Sequence, residues 1–272
     1  PTSNSEFQLS ESINNINRIK LSSINIKKPY LISDSKQNNK FVIKRYINST
    51  LSGESIITID NGYYDIITDL ETQINSKILD SSCNDIVFSI DNNTRKVKFQ
   101  SNGNISFTLD LKTYSTKIKS LKYYSLSRIF GFNNSYTLEK IHTSSNNIVE
   151  SKYTLCNKGD TELFFCLDEY QSGIIETHKL FLERNMSSFK ILAKINSSLG
   201  NSSTNYYINE IYSVTDTRND HTREYNGEIN LLNFNIKIID GYGNIVNSKR
   251  TNDGDYIEPN INEDYTFTLE VR

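Results

Sequence analysis

The chain has 272 residues, 36% of them hydrophobic, with 17 Tyr and 13 Phe; that much large apolar surface excludes a disordered protein and suffices for two ordinary cores. Its 30 basic and 32 acidic residues leave a formal charge of -2, which excludes a protein that holds nucleic acid or an anionic membrane by net charge alone. The 3 Cys, Cys83, Cys156 and Cys166, are too few for a disulfide framework and none lies in a C-x-x-C pair, so they read as small core residues in a reducing compartment.

Residues 1–16 are polar with scattered apolar side chains and lack the apolar stretch of a signal peptide, which predicts a soluble protein made and used inside a cell. They read as an extended arm, with Phe7, Leu9 and Ile13 as the residues that would order it on a neighbouring subunit. From Arg18 the pattern turns strand-like: RIKLSSINI alternates through Ile19 and Leu21, then through Ile24 and Ile26 after a slip expected of a bulge. FVIKRYI and IITI are the next strands, followed by a DNG turn in which Gly62 is free to take positive φ. Thr68 with Glu71 fits a capping box, and Ile67, Leu70, Ile74 and Ile78 form the apolar face of a helix ending near Leu79. IVFSI and KVKFQ flank the polar loop DNNTR as antiparallel strands, and ISFTLDL follows Asn102-Gly103, a strong hairpin signal. One helix among such strands has to cover a face of their sheet, and RIFGF, Arg128 to Phe132, closes the unit.

After HTSSNN the chain is β-like to its end, which places a domain boundary at about residue 145. Strands are readable at YTLCN, ELFFCLDEY, THKLFLE, SFKILAKI, NYYINEIYSV, INLLNFNIKII and DYTFTLEV, with the spacing of a sandwich or jelly roll. Only 3 Pro and 11 Gly punctuate the chain, so Asn and Asp take many turns, as in DGYGN, which contains Gly243. The expected fold is mainly β, of the antiparallel β-sandwich or jelly-roll type. It comprises an arm (1–16), an N-terminal β-rich domain (17–144) with one helix near 68–79 packed on a small sheet, and a C-terminal jelly-roll-like domain (145–272).

Chemistry is sparse. His142, His178 and His221 are isolated in sequence, and the acidic run containing Asp253, Asp255 and Glu258 lacks EF-hand spacing and reads as a solvated loop. The G-x-G of DGYGN is followed by no helix and reads as a hairpin turn, and the segment around Ser172 lacks a G-x-S-x-G elbow. No catalytic residue, cofactor or metal is expected. Adjacent tyrosines such as Tyr63 and Tyr64 offer faces on which a sugar could stack, although neighbouring strand residues point to opposite sides and one of each pair then belongs to a core.

Taken together, LSSINI with KFVI, ITIDNGYYDIITDLETQINSKI, FSIDNNTRKVKF, RIFGF, LFFCLDEY, SFKILAKI, INLLNFNIKIIDGYGNIV and DYTFTLEV resemble the minor capsid and penton-like proteins of nucleocytoplasmic large DNA viruses, virophages and related elements. The resemblance runs from about Arg18 to Val271 and is carried by pattern: Gly62 and Tyr64 fill a G-x-Y turn, Leu70, Ile74 and Asn75 an L-x-x-x-I-N helix, and Gly131 and Phe132 an L-G-F-like end. Phe130 stands where Leu is usual, and Asp60 and Asn61 where Pro and a polar residue are common. The resemblance implies a non-enzymatic virion component, a penton or cementing subunit assembled in the host cytoplasm. Its partners would be the major capsid protein and other minor capsid proteins in a homo- or hetero-oligomer, without direct nucleic-acid contact. Phage tail and fibre proteins share the strand, helix and hairpin part, so a receptor- or glycan-binding module is the alternative.

Overall fold

The computed structural model describes residues 4–34, 36–64, 66–101, 105–111, 125–132, 142–143, 147–157, 162–170, 190–196, 207–211, 221–241, 243, 245–246, 249–250, 256–257 and 265–272. The strands of the first half are β1 (Asn4–Lys27), β2 (Lys40–Ile47), β3 (Thr50–Thr58), β4 (Ile86–Ile90), β5 (Lys96–Ser101), β6 (Ser106–Asp110), β7 (His142–Thr143) and β8 (Ile148–Thr154), with helices α1 (Ile67–Leu79) and α2 (Leu126–Ile129). Those of the second half are β9 (Glu162–Asp168), β10 (Ile191–Asn196), β11 (Tyr207–Ile211), β12 (Thr222–Asp240), the two-residue β13 (Lys249–Arg250) and β14 (Tyr256–Ile257), and β15 (Tyr265–Val271). Among the described residues the ladders of β1 to β12 and β15 are antiparallel, and the mainly β architecture is of the jelly-roll-like kind expected.

The chain divides into two compact units: a central unit, Tyr30–Gly159 with Arg250–Asp255, and a terminal unit, Pro1–Pro29 with Asp160–Lys249 and Tyr256–Arg272. In the central unit a four-stranded sheet, β3-β2-β6-β7, and a three-stranded sheet, β4-β5-β8, share one core with both helices. Alternation decides which side chains enter it: Phe41 and Ile43 of β2, Phe88 of β4, Val97 and Phe99 of β5, and Phe107 and Leu109 of β6 are fully buried, as are Leu70 and Ile74 of α1. The rings of Phe41, Phe88, Phe99 and Phe130 meet edge-on or tilted at centroid distances of 5.0 to 6.4 Å, the geometry aromatic quadrupoles favour.

In the terminal unit one sheet runs β10-β9-β12-β1-β11, with β15 also paired to β1. Ile19 and Lys20 pair with both β12 and β15, and Ser23 to Ile26 pair with both β11 and β15, so β12 and β11 follow each other along one edge of β1 while β15 takes the other. Both faces of this sheet are covered around β9. Leu163, Phe165 and Leu167 enter the main core, while Cys166 joins Ile191, Ile239 and Ile245 on the opposite face.

The sequence expectations need correction in four places. Residues 1–16 do not form an arm separate from the fold. From Asn4 they belong to β1, in register with β12, and RIKLSSINI lies at the centre of the terminal sheet instead of in a domain 17–144. Alternation reports that a segment is a strand but not that its partners lie near the other end of the chain. Second, α1 begins at Ile67 with Ile66 as an N-cap making no side-chain hydrogen bond, so Thr68 sits inside the first turn and no capping box forms. Third, Gly62 does not take positive φ; that conformation falls on Tyr64, at φ 53°. Fourth, Cys83 and Cys166 are buried but Cys156 is exposed.

Asn102 and Gly103 lie outside the described residues, as do Ser172, His178, Asp253, Asp255, Glu258 and the expected strand THKLFLE. The strands flanking Asn102-Gly103, β5 and β6, belong to different sheets and do not pair as a hairpin. β4 and β5 do pair, across a loop in which Asp91 Oδ1 accepts from the N–H groups of Asn93 and Thr94 and from the Thr94 hydroxyl.

Burial pushes the Cys166 thiol up to about 12, against smaller opposing effects of Arg223 and Lys237. A thiol reagent is therefore expected to modify Cys156 in the native chain while leaving Cys83 and Cys166 intact until denaturant is added. Peptide mass spectrometry after alkylation reads this directly, and native labelling of Cys166 at the rate of Cys156 would contradict the burial.

Candidate functional site

The residues singled out by the sequence fall into three structural devices. The first is the turn before α1. Gly62 and Ile32 exchange backbone hydrogen bonds of 2.9 and 3.1 Å, which ties the turn to the segment after β1. The Tyr64 ring folds back over Gly62, so a Cβ there would lie 2.8 Å from the ring, and the Tyr64 hydroxyl donates to the Asp60 carbonyl at 2.7 Å. A side chain at position 62 would have to displace that ring, a constraint of space and not of the glycine's own φ. The Asp60 carboxylate reaches α1, accepting from Gln73 Nε2 at 2.7 Å and pairing with Lys77 Nζ at 3.3 Å. Desolvation, then Asp60 and Asp69, push the Tyr64 phenol up to about 12, so it stays a donor at any physiological pH.

The second device is α1 itself. Leu70 and Ile74 are buried in the core, while Asn75 covers the exposed edge of β4: its Nδ2 donates to the Phe88 carbonyl and its Oδ1 accepts from the Phe88 N–H, both at 2.8 Å. Glu71 Oε1 accepts from the Ile90 N–H. A primary amide offers one donor and one acceptor side by side, as a neighbouring strand would, so the helix satisfies the edge that β5 leaves open.

The third device is RIFGF. Ser125 caps α2 by accepting from the Arg128 N–H at 3.3 Å, and Gly131 ends it at φ +77°. The Phe132 N–H bonds the Ser127 carbonyl at 2.8 Å and the Gly131 carbonyl accepts from the Tyr153 N–H of β8 at 2.9 Å. Phe132 then packs on the same core as Tyr64. Gly243 makes a comparable turn in the terminal unit: it has φ +80° and donates to the Asp240 carbonyl, and the chain returns alongside β12 through Ile239 and Ile245.

Phe7, Leu9 and Ile13 lie on β1. Phe7 pairs with Phe234, stacks on its ring at 5.2 Å and meets Phe267 edge-on at 5.7 Å; Leu9 packs on the terminal core, and Ile13, opposite Leu231, is exposed.

Sequence reading missed a buried ionic cluster. Arg223 of β12 donates to the Glu169 carboxylate, to the Leu167 carbonyl at 2.7 Å and to the Lys190 carbonyl at 2.9 Å; Tyr225 donates to the other Glu169 oxygen at 2.9 Å. Burial, and next the adjacent Glu169, raise the Tyr225 phenol far above its usual range. Arg223 and Tyr225 share a face by their i, i+2 spacing, but only the fold brings Glu169 to them. Both Glu169 oxygens, both terminal nitrogens of Arg223 and the Tyr225 hydroxyl are bonded to one another or to adjacent main chain, which makes the cluster structural.

Among the described residues no group of three or more His, Cys, Asp or Glu converges as metal ligands would, and no helix is long and apolar enough to cross a membrane. What the surface does present is the outer face of β2 and β3. Val42 with Ile56, Lys44 with Glu54, and Tyr46 with Leu51 are cross-strand pairs on the side away from Phe41 and Ile43. Ile56 is 60% exposed and Leu51 50%, and the Lys44–Glu54 ion pair of 3.3 Å lies between the apolar pairs.

No protein-family model matches this sequence, and no curated protein matches it. A solved structure to which the chain is similar is that of the SeMet-labelled mavirus penton protein, at 10% identity and a TM-score of 0.45 over 99% of this chain and 91% of that one. A likeness at that level assigns neither fold nor function to this chain.

Proposed function

We propose that the chain is a structural subunit of a large DNA virus capsid, a minor capsid protein of the penton or cementing kind that works by protein–protein assembly. The observation that carries the reading is the outward β2–β3 face, where Leu51 and Ile56 are exposed on either side of the Lys44–Glu54 ion pair. Apolar side chains grouped on one ordered face are the feature of a surface that a partner covers. The sequence pattern of Gly62, Tyr64, Leu70, Ile74, Asn75, Gly131 and Phe132 supports the capsid assignment, since each of these residues serves shape: a turn, a core position or a covered strand edge. The partners are the major capsid protein and other minor capsid proteins, and the site of action is the virion. Asn4 to Gln8, Ile13 and Ile16 are in register with β12, so this reading does not rest on a free arm.

Quantitative mass spectrometry of purified particles tests this. A fixed ratio of this chain to the major shell protein is expected, a low one for vertices and a higher one for cement, and absence from particles sinks the reading. Ile56→Lys with Leu51→Lys should cut incorporation at least tenfold without lowering the melting temperature, because both side chains are already exposed. Incorporation at the unsubstituted level would remove this face from the assembly.

A further inference from the structure

We infer that the outward β2–β3 face of the central unit is a two-fold contact between two copies of this chain, with Lys44 of each copy over Glu54 of the other. The inference rests on the reading of that face as one a partner covers, and it names the partner. Along β2 the outward side chains are Lys40, Val42, Lys44 and Tyr46, and opposite them on β3, in the same order, are Thr58, Ile56, Glu54 and Leu51. The face therefore reads apolar pair, ion pair, apolar pair, with Lys44 and Glu54 at its centre. Such a pattern is complementary to itself in one orientation.

A two-fold axis running along the strands, midway between β2 and β3, brings β2 of one copy over β3 of the other, as in the aligned packing of two sheets. Lys44 then faces Glu54 of the second copy, Val42 faces Ile56 and Tyr46 faces Leu51, and each contact occurs twice. An axis across the strands would instead set Lys44 on Lys44 and Glu54 on Glu54, which repulsion disfavours. Among the described residues of this sheet, the other charged side chains on the face are Lys40 and Asp110. Lys40 falls over Thr58, while Asp110, opposite Val42 on β6, is one strand farther from the axis and passes beyond the edge strand β3. Arg45 belongs to the other side, where it bonds Asp85 at 2.7 Å. Pairing edge to edge is blocked at the middle of β3: Ser82 Oγ donates to the Glu54 carbonyl and the Ser82 N–H to Ser55 Oγ, both at 3.2 Å. The apolar pairs supply the attraction, and the ion pairs fix the orientation.

Sedimentation equilibrium of the full chain tests this contact. A monomer–dimer equilibrium is expected, with the dimer predominant at about 200 µM, since a few side-chain pairs repeated twice make a small interface. Lys44→Glu makes both central positions acidic and Glu54→Lys makes both basic, so each variant alone should self-associate at least tenfold more weakly. An equimolar mixture of the two variants should pair again, because each acidic centre then meets a basic one. Misfolding cannot imitate that recovery. A monomeric unsubstituted chain at that concentration, undiminished self-association of either variant, no recovery on mixing, or a ring of odd number would each overturn the proposal. An unsubstituted chain that is monomeric in solution yet present in particles at a fixed ratio would overturn the two-fold contact alone. A dimer absent from particles would leave the contact and overturn the capsid reading.

Discussion

Gly131→Ala is expected to destabilise the central unit by about 3 kcal/mol or more, the sum of a left-handed backbone for a residue with a side chain and a steric collision. The collision is the larger part. A Cβ on Gly131 would lie 2.2 Å from the Tyr153 carbonyl oxygen and 2.8 Å from that of Thr154, and both belong to the backbone of β8, which cannot swing aside as a flexible side chain would. Relief would require the RIFGF turn to move off β8, which would break the Tyr153 N–H bond to the Gly131 carbonyl and withdraw Phe130 from the aromatic core. Hydrogen–deuterium exchange should show lost protection in peptides from β5 and β8. Gly227→Ala is the control: it also has positive φ, at +116°, but nothing lies within 4 Å of its Cβ, so it should cost only the backbone strain. Equal effects of the two substitutions would refute the steric account.

Arg223→Met should cost the terminal unit about 3–5 kcal/mol at neutral pH, because it leaves the carboxylate of Glu169 buried without its cation. The Glu169 side chain is 0% exposed and that of Arg223 4%, so water cannot replace the lost partner. The same substitution removes the donors to the Leu167 and Lys190 carbonyls, which hold the end of β9 to the start of β10. Adding Glu169→Leu to Arg223→Met should recover much of the loss, since removing both charges also removes the desolvation cost that each carries. Unfolding followed by exchange in β9 and β12 peptides checks both variants. A double variant less stable than Arg223→Met alone would mean that the Glu169–Tyr225 contact outweighs the buried charge.

Much of the central unit was legible because its signals are local. The 3.6-residue spacing of Ile67, Leu70, Ile74 and Ile78 gave the helix and its buried face, and the alternation around DNNTR gave the β4–β5 hairpin. Signals that depend on what lies opposite were not legible. Thr68 and Glu71 have capping-box spacing, but the Glu71 side chain finds the Ile90 N–H and not the helix start. Gly62 looked like a φ-driven glycine and is a space-driven one, because the ring that needs the space belongs to a residue whose own φ is positive. Residues 11–15 are exposed and, apart from Ile13, polar, so the start of β1 resembled an arm, although Phe7 already stacks on a ring of β12. The outward face of β3 was hidden for a related reason: IITI alternates, but alternation does not say that the outward Ile56 stays uncovered.

The way β1 is partnered also sets the order in which the chain acquires structure during synthesis. Tyr30–Gly159 holds nearly all of the central unit in one continuous stretch, so its sandwich can close as soon as that stretch leaves the ribosome. β1 is made first, yet its registers are with residues 207–211, 222–237 and 265–271, so it must wait for almost the whole chain. During that interval Phe7, Ile19, Leu21, Ile24 and Ile26 form an unpaired apolar strand tethered to a finished domain. Such a nascent strand is a natural client for a chaperone, and mispairing between chains on one messenger is the hazard it creates.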